Sequence, residues 1–401
     1  SLNVLKGLNL AVGTEIRRDQ YKIFAGEIGS WKQYPTANDA PGGSQGFPGF
    51  QPSDETNQSR VNWGTYADGE LDVTKNWMLG TAIRVEKYND FGWTANWKLA
   101  SRVKLSDKVA VRGSISTGFR APSLPQINFS NTFTNVAAGV TSEVVIAPNS
   151  GNLAKLAGIP ALKQETSVNT GLGITAKPFR NFSLTVDGYF VNIKDRIVLT
   201  GYFDQSDDAI GDILTNLNIG SAQFFTNAVD TRTKGMDIVA TYSGLKLGRG
   251  KLNTTFAGNF NSLTISKVKT APQLAGKEDI YFSPRERYFL QASAPNHKLS
   301  LNFEYRVNKF TSNLRFTKFA AIELMDYEPK VERFKGRITT DLSFSYEASD
   351  RVSVTVGGAN IFDVYPEFRP DPSLTETGSR YEAIQMGMSG AMYFAKVGVK
   401  F

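Results

Sequence analysis

The chain has 401 residues with no cysteine and a single histidine, which argues against a Cys/His zinc centre or a Cys/His nucleophilic centre built from it alone. Its formal charge is +7, but the lysines and arginines are dispersed singly and no nucleic-acid-binding motif occurs, so no nucleic-acid partner is expected; a basic lumen or a surface facing anionic lipid fits better. Mean hydropathy is -0.27 and no stretch approaches the roughly 18 apolar residues of a spanning helix, which excludes only a helical membrane protein, because a barrel strand shows lipid at every second residue.

The chain opens with Ser1-Leu2-Asn3-Val4, without the basic head and apolar core of a signal peptide; for an exported protein, the leader is expected outside this sequence. From there to the C-terminus the dominant signal is alternation with period two. It predicts strands over 5–20, 59–72, 76–88, 91–104, 107–119, 165–177, 180–198, 223–243, 250–264, 297–307, 309–320, 335–347, 351–364 and 385–401. In 297–307, Leu299, Leu301, Phe303, Tyr305 and Val307 take one face, and Lys298, Ser300, Asn302, Glu304 and Arg306 the other. Lys318 breaks the pattern by falling in phase with Leu314 and Phe316, a position expected near a membrane interface.

The connections alternate in length. Tight turns fall near 73–76, 105–107, 177–180, 307–309 and 347–350, with a slightly longer one at 243–250. Long excursions cover 24–59, 120–163, 201–223, 265–296, 321–334 and 364–384; only 89–90 is short on that side. A soluble sandwich has no reason to segregate its loops so, whereas a barrel with short periplasmic turns and long outer loops does. The expected fold is all-β: a transmembrane antiparallel β-barrel of about 14 visible strands.

Gly118-Phe119-Arg120-Ala121-Pro122-Ser123-Leu124 resembles a motif of TonB-dependent outer-membrane receptors, where a strand leaves the membrane for a long outer loop. Leu162, Glu165 and Ser167 match the family's Leu-x-x-Glu-x-Ser return, with Gln164 where proline is common. The segments 189–197 (Tyr-Phe-Val-Asn-Ile-Lys-Asp-Arg-Ile), Lys234-Gly235-Met236-Asp237 and Ala359-Asn360-Ile361-Phe362-Asp363 resemble later strands in order. Tyr393, Ala395, Val397, Val399 and Phe401 resemble the C-terminal insertion signature, and the loop at 43–50 resembles family members with long outer loops.

That resemblance implies a barrel of about 22 strands with a plug inside it, of which residues 1–401 would be a partial barrel domain lacking the plug and roughly eight strands. It implies the bacterial outer membrane, a TonB complex engaged through the absent plug, and contact with outer-membrane lipid and lipopolysaccharide. A companion chain could complete the barrel. The implied function is receptor and transporter for a scarce, large solute, small-molecule or oligomeric. A ferric siderophore is the first expectation, with oligosaccharide, peptide and cobalamin behind it. The competing readings are a passive channel without a plug and, below it, a barrel enzyme. No Gly-x-Ser-x-Gly elbow occurs and nothing groups His297 with a nucleophile, so no covalent chemistry and no cofactor are expected.

Trp63, Trp77, Trp93, Trp97, Tyr66 and Tyr88 are expected in the aromatic girdles. The aromatics in or beside loops are the candidate ligand contacts: Trp31, Tyr34, Phe47, Phe50, Tyr202, Phe203, Phe224, Phe225, Tyr327 and Phe368. Two roles are open to them, stacking on a ligand or packing loop on loop. Arg120, at a strand-to-loop junction, is the candidate for an anionic ligand or a lipid phosphate. Asp207-Asp208 could hold a cation or simply be solvated; no metal site is expected.

Overall fold

The computed structural model describes residues 2–5, 7–32, 34, 43–44, 48–137, 140–325, 330–369, 381 and 385–400. Its frame is one antiparallel meander. The strands are Leu2–Leu5, Leu8–Ile23, Thr56–Thr74, Trp77–Tyr88, Gly92–Ser106, Val109–Arg120, Glu165–Ala176, Phe182–Leu199, Ser221–Leu247, Gly250–Val268, His297–Val307, Phe310–Phe319, Arg337–Glu347, Val352–Ala359 and Met392–Val399. Each pairs with the next in this order. Every strand expected from alternation is present, preceded by the short Leu2–Leu5. Among the described residues no ladder joins Met392–Val399 to Leu2–Leu5 or Leu8–Ile23, so the sheet is open.

Cross-strand register fixes the faces, because residues directly opposite in an antiparallel pair share a side. One row runs Arg112, Gly173, Asp187, Asp237, Asn259, Lys298. The row beside it runs Val111, Ile174, Val186, Ile238, Gly258, Leu299. The polar face carries cross-strand ion pairs, Arg112–Asp187 and Arg315–Asp341, and an Asn253 to Glu304 hydrogen bond. The apolar face leaves residues such as Val12 at 74% exposure and Ile16 at 75%, which water would not tolerate over so long a wall but lipid does. Leu299, Leu301, Phe303 and Tyr305 lie on this outward face. Lys318 shares it, between Leu299 and Ile338, one residue from its strand's end.

Two aromatics do not follow the girdle expectation. Tyr66 pairs with Gly13 and Arg84, and Tyr88 with Asn62, all on the polar face. Both tyrosines therefore point inward, and Tyr88 is buried. Trp63, Trp77, Trp93 and Trp97 do lie outward, opposite Ile16, Val103, Lys87 and Ile83.

Glycines make room for inward aromatics at defined places. Gly235 lies opposite Tyr189, and a Cβ there would meet the Tyr189 ring at 2.2 Å and the Phe260 carbonyl oxygen at 2.6 Å. The Lys-Gly-Met-Asp and Tyr-Phe-Val-Asn segments are thus two halves of one contact. Gly235→Val is expected to cost about 1–3 kcal/mol by overpacking, read as a lower melting temperature in detergent. Tyr189→Ala should recover only part, since the carbonyl cannot move aside.

Two boundaries differ from the alternation. The Ser221–Leu247 strand runs past a bulge between Tyr242 and Leu245 to a tight turn at Gly248, whose φ is +57°. The Val352–Ala359 strand stops early because Asn360 and Asp363 adopt φ of +49° and +53°, and the Asn360 side chain closes the turn by donating to the Val364 carbonyl and accepting from its amide.

The long connections are structured. In 120–165 lie the helices Leu124–Asn128 and Asn152–Leu156 and the hairpin Asn131–Ala137/Val140–Ala147. Val140–Ala147 runs parallel to the first residues of Ser221–Leu247, which also pair with Phe203–Asp204. Beneath this second sheet, Ala147, Ala154, Phe203, Leu214, Leu274 and Tyr281 from three connections pack in the largest buried apolar cluster among the described residues.

Candidate functional site at the outer mouth

Where the polar face meets the long loops, a cavity of about 530 Å³ opens between the ends of four strands and the Leu124–Asn128 helix. Arg17, Asp19, Tyr21, Arg60, Tyr88 and Arg120 line it. Arg17 pairs with Asp19 at 3.0 Å. Arg60 is only 4% exposed: its Nε donates to Asp90 at 2.7 Å, and its guanidinium lies 5.6 Å from the centres of the Tyr88 and Phe91 rings. A desolvated cation held on two aromatic faces and one carboxylate is a fixed positive feature of the wall.

Arg120 sits opposite Glu165 in the ladder and donates to it at 2.5 Å. Glu165, buried, also accepts the Ile197 amide at 2.8 Å. The outgoing and returning loop motifs therefore meet in a single ion pair. Gly118 faces Ser167, whose Oγ would lie 2.8 Å from any added Cβ. Arg120 remains largely exposed towards the cavity, so the pair positions the guanidinium without hiding it.

The other candidate residues fall elsewhere. Trp31 donates its ring nitrogen to the Gly26 carbonyl at 3.0 Å and holds its own turn. Tyr34 is exposed under the Lys32 ammonium, and Phe50 meets the edge of Phe129 at 6.0 Å. Phe203 and Phe224 are each 0% exposed, 6.1 Å apart, which corrects their assignment as ligand contacts: their surface is spent in the loop core. Phe225 is half-buried beside them, Tyr202 is exposed, and Phe368 packs edge-on against Tyr381. Phe47 and Tyr327 lie outside the described residues. Among the described residues of the set, Arg120 alone lines the mouth cavity. Arg17, Tyr21, Arg60 and Tyr88 were missed, although strict alternation carried to the strand ends places them on the polar face.

Asp207 and Asp208 hold the Lys277 ammonium, Asp207 at 2.7 Å, so a lysine supplies the cation that this pair could take. Burial pushes the Asp207 carboxyl up, but Lys277 and the amides of Ala209 and Ile210 outweigh it and hold the group below its ordinary value. Lys277 is raised in return, by Asp207 first. A carboxyl depressed on folding contributes stability above its unfolded value and loses it as pH falls through the folded one. The 200–220 loop should therefore loosen as pH drops below the ordinary 3.8, seen as faster amide exchange. Asp207→Asn should flatten that dependence; an unchanged slope would count against it.

The profile of the TonB dependent receptor-like, beta-barrel family matches residues 3–361. No curated protein sequence matches the chain. Solved structures share the fold: the siderophore receptor PirA from Acinetobacter baumannii has TM-score 0.63 and 17% identity, over 98% of this chain and 52% of that one. A ferric enterobactin receptor (PfeA) mutant from Pseudomonas aeruginosa, in complex with enterobactin, has TM-score 0.68 and 14% identity, over 98% and 52%. The copper transporter OprC has TM-score 0.63 and 15% identity, over 98% and 54%. This chain thus spans about half the length of those receptors. With an open antiparallel wall, one apolar face and structured outer loops, the chain belongs to the TonB dependent receptor-like β-barrel family of the bacterial outer membrane.

Proposed function

We propose that residues 1–401 form part of the barrel wall of an outer-membrane receptor that imports a scarce, large solute with energy from TonB, the rest of the barrel and a plug being supplied by further residues. The observation that carries this is the open ladder: unpaired edges in lipid cost several kcal/mol for each unsatisfied group, roughly, so the sheet needs more strands to close. A ferric siderophore is the first reading of the solute. The mouth cavity supports it, with Arg17 and Arg120 for anionic oxygens, Tyr21 for a flat face, and the buried Arg60 adding a fixed positive charge to the wall. Two of the similar structures carry siderophore-related names, and one is a copper transporter.

The test is binding of ferric catecholates, ferric hydroxamates, cobalamin and copper to the complete purified receptor, followed by tryptophan fluorescence. Arg17→Gln with Tyr21→Ala should weaken the preferred ferric complex about tenfold or more, as loss of a charge-assisted contact implies. Binding of none of the ferric complexes would sink the siderophore reading. Steady conductance in planar bilayers, without ligand or energy input, would move the assignment to a passive channel.

A further inference from the structure

One ladder of the wall stops before its strands do. Gly92–Ser106 and Val109–Arg120 pair from their tight turn up to Lys98–Ser116, and there the ladder ends. Each strand runs on, paired on its other flank, as far as Tyr88–Gly92 and Arg120–Glu165. Where the next pair would form, the Trp97 amide donates to the Thr117 Oγ1 at 3.0 Å. Cavities of about 330 and 560 Å³ both reach Asn96 and Thr117; the first is lined also by Trp93 and Ala95 of the outward face, the second by Tyr66 and Arg84 of the lumen. Above Lys98–Ser116 the wall is therefore a seam.

Aromatic rings close it. Phe119 is in phase with Val111 and Ile115, so a complete ladder would hold its ring towards lipid; the break lets it turn inward. It meets Tyr88 edge-on at 5.9 Å and Phe91 at 6.5 Å, and those two rings stack on each other at 4.4 Å. The hairpin tip that carries them is tied on its far side, by Asp90 to Arg60 and by Asn89 to the amide and carbonyl of Val61. The mouth cavity straddles the seam, with Arg17, Tyr21, Arg60 and Tyr88 on one side and Phe119 and Arg120 on the other. A ladder would fix that width through the backbone. Rings in its place make a joint that can part without breaking backbone hydrogen bonds.

We propose that Phe91, which touches the seam without lining the cavity, is a positioning residue. Through Tyr88 and Phe119 it holds the two sides together, and so sets the spacing between the Arg17–Arg60 side and Arg120. That spacing selects the size of anionic solute the mouth accepts. The selection rests on the mouth cavity being the solute site; the joint itself does not.

The test uses the complete receptor in detergent, and its first arm needs no solute. The amides of Trp93 and Ala95, aimed at the break like that of Trp97, should exchange faster than those of Leu99 and Ser101, which face the same strand inside the ladder. Phe91→Ala should speed Trp93, Ala95 and Trp97 by about tenfold, the scale of a lost ring contact, and leave Leu99 and Ser101 unchanged. Thr117→Val should speed Trp97, while Thr117→Ser and Phe91→Tyr keep the parent rates. Because the chain has no cysteine, spin labels on Lys87→Cys and Thr166→Cys read the width across the seam. In Phe91→Ala that distance should lengthen by about 3–5 Å, up to one strand spacing. Heat-modifiable migration verifies folding. In the second arm, the parent's preference between a ferric tris-catecholate and the smaller ferric acetohydroxamate complex should narrow about fivefold in Phe91→Ala. Equal exchange above and below Lys98–Ser116, or an unchanged label distance in Phe91→Ala, overturns the joint. A wider seam with unchanged preference overturns its part in selection. A parent that binds neither complex fails the siderophore reading instead, and exchange and label distance still decide the joint.

Discussion

Leu301→Arg is expected to prevent most of the protein from reaching the folded, heat-modifiable state, while Ser300→Arg leaves it nearly normal. The two positions are adjacent in His297–Val307, so strand propensity and location barely differ. Leu301 lies between Phe256 and Phe316 on the apolar face; Ser300 lies between Ala257 and Thr317 on the polar face. A basic side chain facing the bilayer midplane costs about 2–4 kcal/mol, whereas one in a wet lumen costs little. Ser300 is a better control than Asn302, because Asn302 sits opposite Arg315 and an arginine there would add like-charge repulsion. Equal folded fractions for the two variants, after refolding into lipid vesicles, would show that the apolar face is not the lipid face.

The wall was legible because its physics is local. Period two follows from strand geometry, and a one-residue slip in 297–307 would expose Lys298, Glu304 and Arg306 to lipid, so the register of each strand is written into its own residues. The tight-turn side was legible for the same reason. The loops were not. Their order comes from contacts between segments far apart in sequence: the Gly220 amide donates to Glu143, Gly201 to Ile280, and the Lys269 amide to Ala228. No periodicity announces such bonds. Phe203 therefore read as a loop aromatic with both roles open, ligand contact or loop packing, and only the folded loops show that its ring closes a core. Tyr88 failed differently. Its place at a strand end suggested a girdle, but the ladder puts it opposite Asn62 and under Arg60. The two halves of the Arg120–Glu165 pair were both found, each by resemblance, while their contact, across a sequence separation of 45, needed the loop between them to be closed.

Phe203→Ala should melt the outer cap without melting the wall. The ring is wholly buried, 6.1 Å from Phe224 and 6.3 Å edge-on to Tyr281, so it joins the 200–220 loop to the 269–296 loop across the end of Ser221–Leu247. Removing such a ring costs about 3–5 kcal/mol, comparable to the whole stability of a small domain. Exposed cap residues such as Tyr202 offer the matched control, with little expected loss. Because Ala147, Ala154 and Leu274 share the same cluster, the 120–164, 200–220 and 269–296 connections should gain amide exchange and protease sensitivity together. The strand ladders should keep their protection, since few of their hydrogen bonds involve the cap. Loosening of the 200–220 loop alone would mean that the three connections are independent, and the cap a chance meeting of loops. Concerted loosening would mean that whatever reaches the mouth cavity meets one folded body, whose motion, if it moves, is that of all three connections at once.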